Sequence, residues 1–251
     1  MIIVNEVLTE TPQIVLDEGF MFGRGIFETL LVKEKPIFLK EHMDRMNEAL
    51  SILNINKKID KNYIETIVDK YNLNNCVLKI VVSDKNTVIS TRSINYHSED
   101  YKKGFKVRIS KSRRNAYSTI PYIKSINYIE NILEKQHAIE EGFNETLFLN
   151  TDGYIAESSS GNIFLIKDDK LYTPSVNCGL LNGILRQWVL NNFHVIEGNF
   201  TLEDIFNSQG AFLTNSIMGI MKIVDIDGAN LRYHHLIEEI STCYKKEIFK
   251  Y

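Results

Sequence analysis

The pattern of apolar and polar positions changes period several times along the chain, and each change marks an element. Residues 2–8 are mostly apolar and read as a first strand. Past the turn Gly23-Arg24-Gly25, residues 26–32 and 36–38 read as a hairpin with Lys-Glu-Lys at its tip. From Leu39 the period lengthens. Met43, Met46, Leu50 and Leu53 recur at spacings of three and four, which is one apolar face of a helix. Residues 60–71 repeat this with Tyr63, Ile64, Ile67 and Tyr71, and residues 76–82, 87–91 and 105–109 return to strand patterning. The stretch 111–119 is the least periodic and most polar. It holds Lys111, Arg113 and Arg114 and is expected to link two domains.

Beyond it, residues 127–141 predict a helix with Ile129, Ile132, Leu133 and Gln136 near one face and Gly142 as its stop. Short strands crowd the next stretch, at 145–149, 154–156, 162–166 and 171–173, joined by Thr-Asp-Gly and Lys-Asp-Asp turns. Helices follow at 182–191 and 201–206, then strands at 211–214 and 220–225. A closing helix over 233–249 turns Leu236, Ile237, Ile240, Tyr244 and Ile248 inward. The sum is an α+β chain in two lobes: an N-terminal α/β lobe over 1–110, a linker over 111–120 and a larger, strand-rich lobe over 121–251.

Composition narrows the function classes. The chain has 251 residues, 44% hydrophobic and 24% charged, enough for a real core and far from a disordered composition. Its net charge of −3 speaks against nucleic acid as a partner, since duplex binding shows a basic excess. The three cysteines are far apart and form no CxxC pair, so a reducing compartment is expected. The N-terminus lacks signal-peptide character and no apolar run reaches the roughly 20 residues of a membrane span, so the expectation is a cytoplasmic protein without membrane contact.

The common catalytic templates are missing. There is no phosphate loop, no strand–GxGxxG–helix, no HExxH and no GxSxG. His234 and His235 are adjacent on an expected helix, so their side chains diverge and no metal site is expected. Instead, several segments stand out in a fixed order. They are Phe22-Gly23-Arg24-Gly25-Ile26-Phe27-Glu28-Thr29 with Glu41-His42-Met43-Asp44-Arg45; Ile123-Lys124-Ser125-Ile126-Asn127-Tyr128; Gly153 through Phe164; Gly179 through Gln187; and Thr214-Asn215-Ser216-Ile217-Met218-Gly219. Together they resemble the class IV aminotransferase family, the fold type IV enzymes of pyridoxal 5'-phosphate, over nearly the whole chain.

What the resemblance implies makes chemical sense for a phosphorylated aldehyde. Lys124 takes the role of the amine that holds the cofactor and carries the proton. Glu157 takes the role of the carboxylate that keeps the pyridine nitrogen protonated. Arg45 is implied at the phosphate, together with the helix N-terminus at Gly183, Ile184 and Leu185 and a third contact from Ser216 and the backbone of Ile217. Leu181 is implied against the ring face, and Tyr128 at the ring hydroxyl. The resemblance also implies a homodimer and a small-molecule substrate.

Within the family, Asn182-Gly183-Ile184-Leu185-Arg186-Gln187 and Asn215-Ser216-Ile217-Met218-Gly219 are similar to the 4-amino-4-deoxychorismate lyase form. The Arg-x-His pair of D-amino-acid aminotransferases has no counterpart between Ser83 and Arg92, and the chain is short for a branched-chain aminotransferase. The implied activity is therefore release of 4-aminobenzoate and pyruvate, a step of folate biosynthesis. A branched-chain or D-amino-acid aminotransferase is the alternative. A non-catalytic binding protein is disfavoured because Lys124 and Glu157 are both kept. Phe27 and Thr29 are candidates to line the substrate pocket, and Arg92, Arg113 and Arg114 to hold substrate carboxylates. Arg24 stands where the family usually has Asp.

Overall fold

The computed structural model describes residues 1–251, which form two compact units. The first gathers residues 1–95, 123–128 and 248–251, and the second gathers 96–122 and 129–247. The division differs from a break at 111–120. Residues 96–122 join the second unit, while the short segment that carries Lys124 returns to the first.

In the first unit, β1 (Ile2–Val4) and β2 (Val7–Leu8) pair across Asn5 and Glu6, both at positive φ, so the single strand expected over 2–8 is a tight hairpin. Helix α1 (Glu18–Phe22) has no apolar period to announce it. It is capped by Asp17, which also accepts from the Ser83 hydroxyl, the Lys85 N–H and the Asn86 amide. Burial pushes the Asp17 carboxyl up, but these bonds outweigh it and pull it down to about 2. The chain then leaves α1 through Gly23, at φ 72°, into β3 (Gly25–Val32).

The hairpin expected with 36–38 reduces to one bridge between Val32 and Pro36. Phe38, at φ 53°, then opens α2 (Leu39–Ile52), and α3 (Lys61–Lys70) follows with Asp60 as its N-cap. Strands β4 (Cys76–Ser83) and β5 (Thr87–Arg92) complete an antiparallel sheet in the order β2-β1-β5-β4-β3. Strand alternation decides what each face does. Ile26, Leu30, Val32, Leu78, Ile80 and Val82 pack with Met43, Met46, Leu50, Ile64, Ile67 and Val68 of the two helices. The residues between them, among them Phe27, Thr29 and Lys79, take the other face, where Thr29, Lys79 and Ser90 stand in one cross-strand row.

The second unit begins with α4 (Ser98–Lys103), a short helix that buries no residue and is closed by a capping box between His97 and Asp100. Strand β6 (Phe105–Arg114) runs through residues expected as linker. Past an irregularity after Ile109, Arg113 stands opposite Leu149 and Arg114 opposite Asn150. Helix α5 (Ile129–Glu140) forms where expected, but Ile129, Ile132 and Leu133 are exposed. Its buried face is Asn131, Glu134 and Ala138. Each polar member is bonded: Asn131 donates to the Ser159 carbonyl, and Glu134 accepts from Arg108 and Ser112.

Strands β7 (Glu145–Asn150), β8 (Ile155–Ser158), β9 (Asn162–Lys167) and β10 (Lys170–Pro174) precede α6 (Ile184–Asn192). Then come β11 (Val195–Gly198), α7 (Leu202–Phe206), β12 (Gly210–Asn215), β13 (Gly219–Ile226), β14 (Ala229–Asn230) and α8 (His235–Ile248). The nine-stranded sheet runs β11-β10-β9-β12-β13-β6-β7-β8, with β14 beside β13. It is mixed: β6 lies parallel to both β7 and β13, and β11 parallel to β10, while the remaining pairs are antiparallel. No helix is long and apolar enough to cross a membrane. The chain is thus α+β, with the strand-rich core expected for its second half.

Candidate functional site

Lys124 sits on a short extended segment added to the edge of β3. The Phe27 N–H donates to the Lys124 carbonyl at 2.9 Å, the Ile126 N–H to the Gly25 carbonyl at 2.9 Å, and Ser125 bridges Ile26. Gly25 allows this approach, since a Cβ there would stand 2.8 Å from the Val82 carbonyl and 2.9 Å from Ile126 Cδ1. Asn127 locks the far end by donating to the Gly23 carbonyl at 2.8 Å. The backbone of Lys124 is therefore fixed on both sides. Its half-buried side chain carries Nζ to 4.5 Å from the Phe27 ring centroid and 5.4 Å from that of Tyr128. The two rings meet edge to face at 5.0 Å.

Arg45 projects from α2 onto Glu28 of β3. Its Nε donates to Oε1 at 2.7 Å and its Nη2 to Oε2 at 2.8 Å, a bidentate fork. His42, one helical turn earlier, places Nδ1 at 2.7 Å from Oε2. Glu28 and His42 are both fully buried. Burial alone would raise the Glu28 carboxyl, but Arg45 and His42 outweigh it and hold it well below the usual carboxylate range. His42 is shifted down, first by burial and also by the charges of Arg45 and Lys124, against the pull of Glu28. A neutral His42 donates from Nδ1, which leaves Nε2 buried with no partner.

The second unit assembles its own cluster around Glu157. This carboxylate is buried on β8 and accepts from the Leu181 N–H at 3.1 Å. Leu181 in turn receives the Asn162 amide on its carbonyl at 2.8 Å. A Cβ on Gly183 would lie 2.2 Å from Oδ1 of that Asn162 side chain, so a larger residue as the N-cap of α6 would have to displace the amide that bonds Leu181. Gly183 makes no side-chain cap bond, and the first N–H groups of a helix have no partner inside it. Ile184 and Leu185, both buried, open that first turn. Opposite Asn162 in the sheet stands Thr214, whose hydroxyl is buried without a partner. An acid, an apolar side chain, a helix N-terminus and an orphaned hydroxyl thus lie within one bonded neighbourhood. That donor set suits a phosphorylated, nitrogen-containing ring.

Of the other expected residues, Arg114 and the Ile217 N–H are engaged within the protein, while Ser216, Arg113 and Arg92 stay accessible. Arg114 is buried rather than open to substrate, because two carboxylates hold it. Nη1 donates to Glu130 at 2.5 Å, Nη2 lies 3.4 Å from Glu157, and the guanidinium covers Phe148 at 3.8 Å. The Ile217 N–H is directed to Asn215 Oδ1 at 3.0 Å, as is that of Met218 at 2.7 Å, so it does not point at an anion. Ser216 beside it is half-buried. Arg113 is exposed and bonds the carbonyls of Ser110 and Ser112, and Arg92 is exposed and bonds that of Ser93. Arg24 ties α1 to the end of α2 by pairing with Glu18 and bonding the carbonyls of Leu53 and Asn54.

Two features escaped the sequence reading. Lys79 Nζ stands 4.8 Å from the Phe27 ring centroid, and burial, then Arg92, push its ammonium down. A lone Lys inside the apolar run Cys76–Ser83 was the available signal. Glu28 and His42 are the second, since both fall at the buried phase of their elements.

Comparison with known proteins shows the family of the chain. The family described as amino-transferase class IV matches residues 25–226. The aminodeoxychorismate lyase of Bacillus subtilis (strain 168) is 29% identical over 279 residues, which cover 99% of this chain and 94% of that protein. The branched-chain-amino-acid aminotransferase of Pseudomonas aeruginosa is 28% identical over 248 residues, covering 86% of this chain and 80% of that protein. Among solved structures, a Legionella pneumophila protein named "Putative 4-amino-4-deoxychorismate lyase" superposes with a TM-score of 0.86 at 26% identity. The match covers 95% of this chain and 96% of that one.

Proposed function

The chain belongs to the class IV aminotransferases, and from that membership we propose that it is a pyridoxal-phosphate-dependent 4-amino-4-deoxychorismate lyase, releasing 4-aminobenzoate and pyruvate. The observation that carries the reading is Lys124: a lysine whose backbone is pinned on both sides and whose amine is held over two aromatic rings. The Bacillus subtilis relative, matched along 99% of this chain, favours the lyase over the aminotransferases.

Bound pyridoxal phosphate supplies an aldehyde for the substrate's amine and a ring that withdraws electrons from the neighbouring bonds. Lys124 would hold that aldehyde before substrate arrives. Its Nζ, once freed, would take the proton from the amine-bearing ring carbon of the substrate; the C–O bond on the adjacent carbon would break as the ring becomes aromatic, and the departing enolpyruvate would take up a proton to become pyruvate. Glu157 receives the hydrogen bond of the protonated ring nitrogen. Leu181 covers the ring, and the first turn of α6, with Ser216, donates to the phosphate. Arg45 is the phosphate's cation, and Tyr128 serves the ring hydroxyl. Phe27 and Thr29 line the substrate side of their sheet. Lys79 and Arg92 on the same unit offer two cations to a substrate with two carboxylates.

The test is formation of 4-aminobenzoate from chorismate and glutamine, with an aminating synthase and pyridoxal phosphate added. Product that requires this protein supports the lyase. A protein that shows the bound-cofactor absorbance but makes none, while transferring amino groups from an amino-acid panel, overturns it in favour of the aminotransferase.

A homodimer is part of the same reading. Ile129, Ile132, Leu133 and Ile139 leave one side of α5 apolar and exposed, and Phe20, Met21 and Phe22 are exposed on α1. Light scattering is expected to give twice the 29.0 kDa of one chain, and a single-chain mass refutes the dimer. The free cysteines fit a reducing compartment such as the cytoplasm.

A further inference from the structure

We propose that Glu28 is a positioning residue for cofactor phosphate: its buried carboxylate, steadied by His42, fixes the guanidinium of Arg45 in the orientation that receives the anion. The inference rests on the reading of Arg45 as the phosphate's cation.

Glu28 lies at the buried phase of β3, between Ile26 and Leu30, where an apolar residue would pack without cost. A carboxylate there has lost its water and is tolerated only when paired and fully bonded. Three bonds of 2.7–2.8 Å meet that need, two from Arg45 and one from His42. Arg45 itself is only half-buried and sits on an otherwise ordinary helix. An arginine side chain held at one end alone sweeps a large volume. Engaging the Nε–Nη2 edge with a fixed carboxylate sets the guanidinium plane and with it the direction of Nη1. His42 adds a second constraint by bonding the oxygen that Nη2 also uses, so the carboxylate cannot rotate without losing both. The arrangement keeps one neutral histidine with a buried, unpartnered Nε2, a feature that stability alone does not explain.

The role is tested by separating phosphate recognition from everything else. Apo-protein is titrated with pyridoxal phosphate and, in parallel, with pyridoxal, which lacks the phosphate. The ratio of the two dissociation constants measures the phosphate preference. Glu28→Gln keeps the size and removes the charge. It is expected to lower that preference by about tenfold to hundredfold, the range of one charge-assisted bond pair, while binding of pyridoxal changes little. Equal weakening of both ligands assigns Glu28 a purely structural role and overturns the proposal.

Arg45→Ala separates the two claims. If it leaves the preference intact, the reading of Arg45 itself fails and the proposal falls with it. If it destroys the preference while Glu28→Gln does not, the positioning role alone fails. Should Glu28→Gln not fold, His42→Leu carries the test, with a loss of preference of about threefold. His42→Asn, which can still donate to Glu28, is expected to restore it, and a His42→Leu variant with full preference overturns the proposal.

Discussion

Lys124→Ala is expected to remove the bound-cofactor absorbance and to bring 4-aminobenzoate formation below detection, while the far-ultraviolet circular dichroism and the thermal midpoint stay close to those of the parent protein. The first half follows from chemistry. The amine is the only group proposed both to hold the aldehyde and to carry the proton, and a nucleophile that is also the base has no partial substitute. The second half follows from where the residue is held. The bonds that fix the segment run through backbone atoms of Phe27, Lys124, Gly25 and Ile126, and alanine keeps every one of them. The lost stem forfeits its cation–π contacts with Phe27 and Tyr128, about 0.5–1 kcal/mol at a partly exposed site. Lys124→Arg is the sharper companion. It retains the charge over both rings, yet a guanidinium does not lose its proton near neutral pH. It is expected to fold as the parent does and to be equally inactive. Full turnover in either variant removes the central assignment.

Which parts of this architecture could be read from the chain follows from how each part is stabilised. Helices α2, α3 and α8 were legible because one apolar face of each meets a core, so the period of 3.6 survives in the sequence. Strands β3 and β4 were legible as apolar runs. The failures share a cause: polar residues that do structural work look like surface. The end of β6 carries the charge pattern of a linker, with Lys111, Arg113 and Arg114. The structure buries Arg114 by pairing it with Glu130 and Glu157, which no hydropathy pattern records.

Helix α5 shows the same effect in reverse. Its period was correct but its inward face was not, since Asn131 and Glu134 are bonded inside while its isoleucines stay outside. Helices α1 and α4 are held by caps and turns and have too few residues for a period. At the site, the order of motifs singled out Lys124, Glu157 and Arg45 as candidates. The charge balance around them, from Glu28 to Arg114, became visible only when distant residues were brought to bonding distance.

That charge balance governs the second large effect. Glu157→Gln is expected to lower turnover by about a hundredfold or more, the scale on which general acid–base roles act, with cofactor binding weakened far less. The ring nitrogen attracts electrons from the substrate only while it carries a proton, and a carboxylate at hydrogen-bond distance favours that proton where an amide does not. Glutamine preserves the volume and still accepts from the Leu181 N–H, so the loop that leads into α6 keeps its anchor. The Arg114 charge is not stranded by the change, because its Nη1 still meets Glu130 at 2.5 Å. Glu157→Ala would remove the Leu181 bond as well, and a loss of stability would then cloud the kinetics. The measurement is kcat for 4-aminobenzoate formation at saturating cofactor, set beside the cofactor's dissociation constant. A Glu157→Gln enzyme with normal kcat would mean that the buried carboxylate serves Arg114 and Leu181 alone, and that the ring nitrogen is answered from elsewhere.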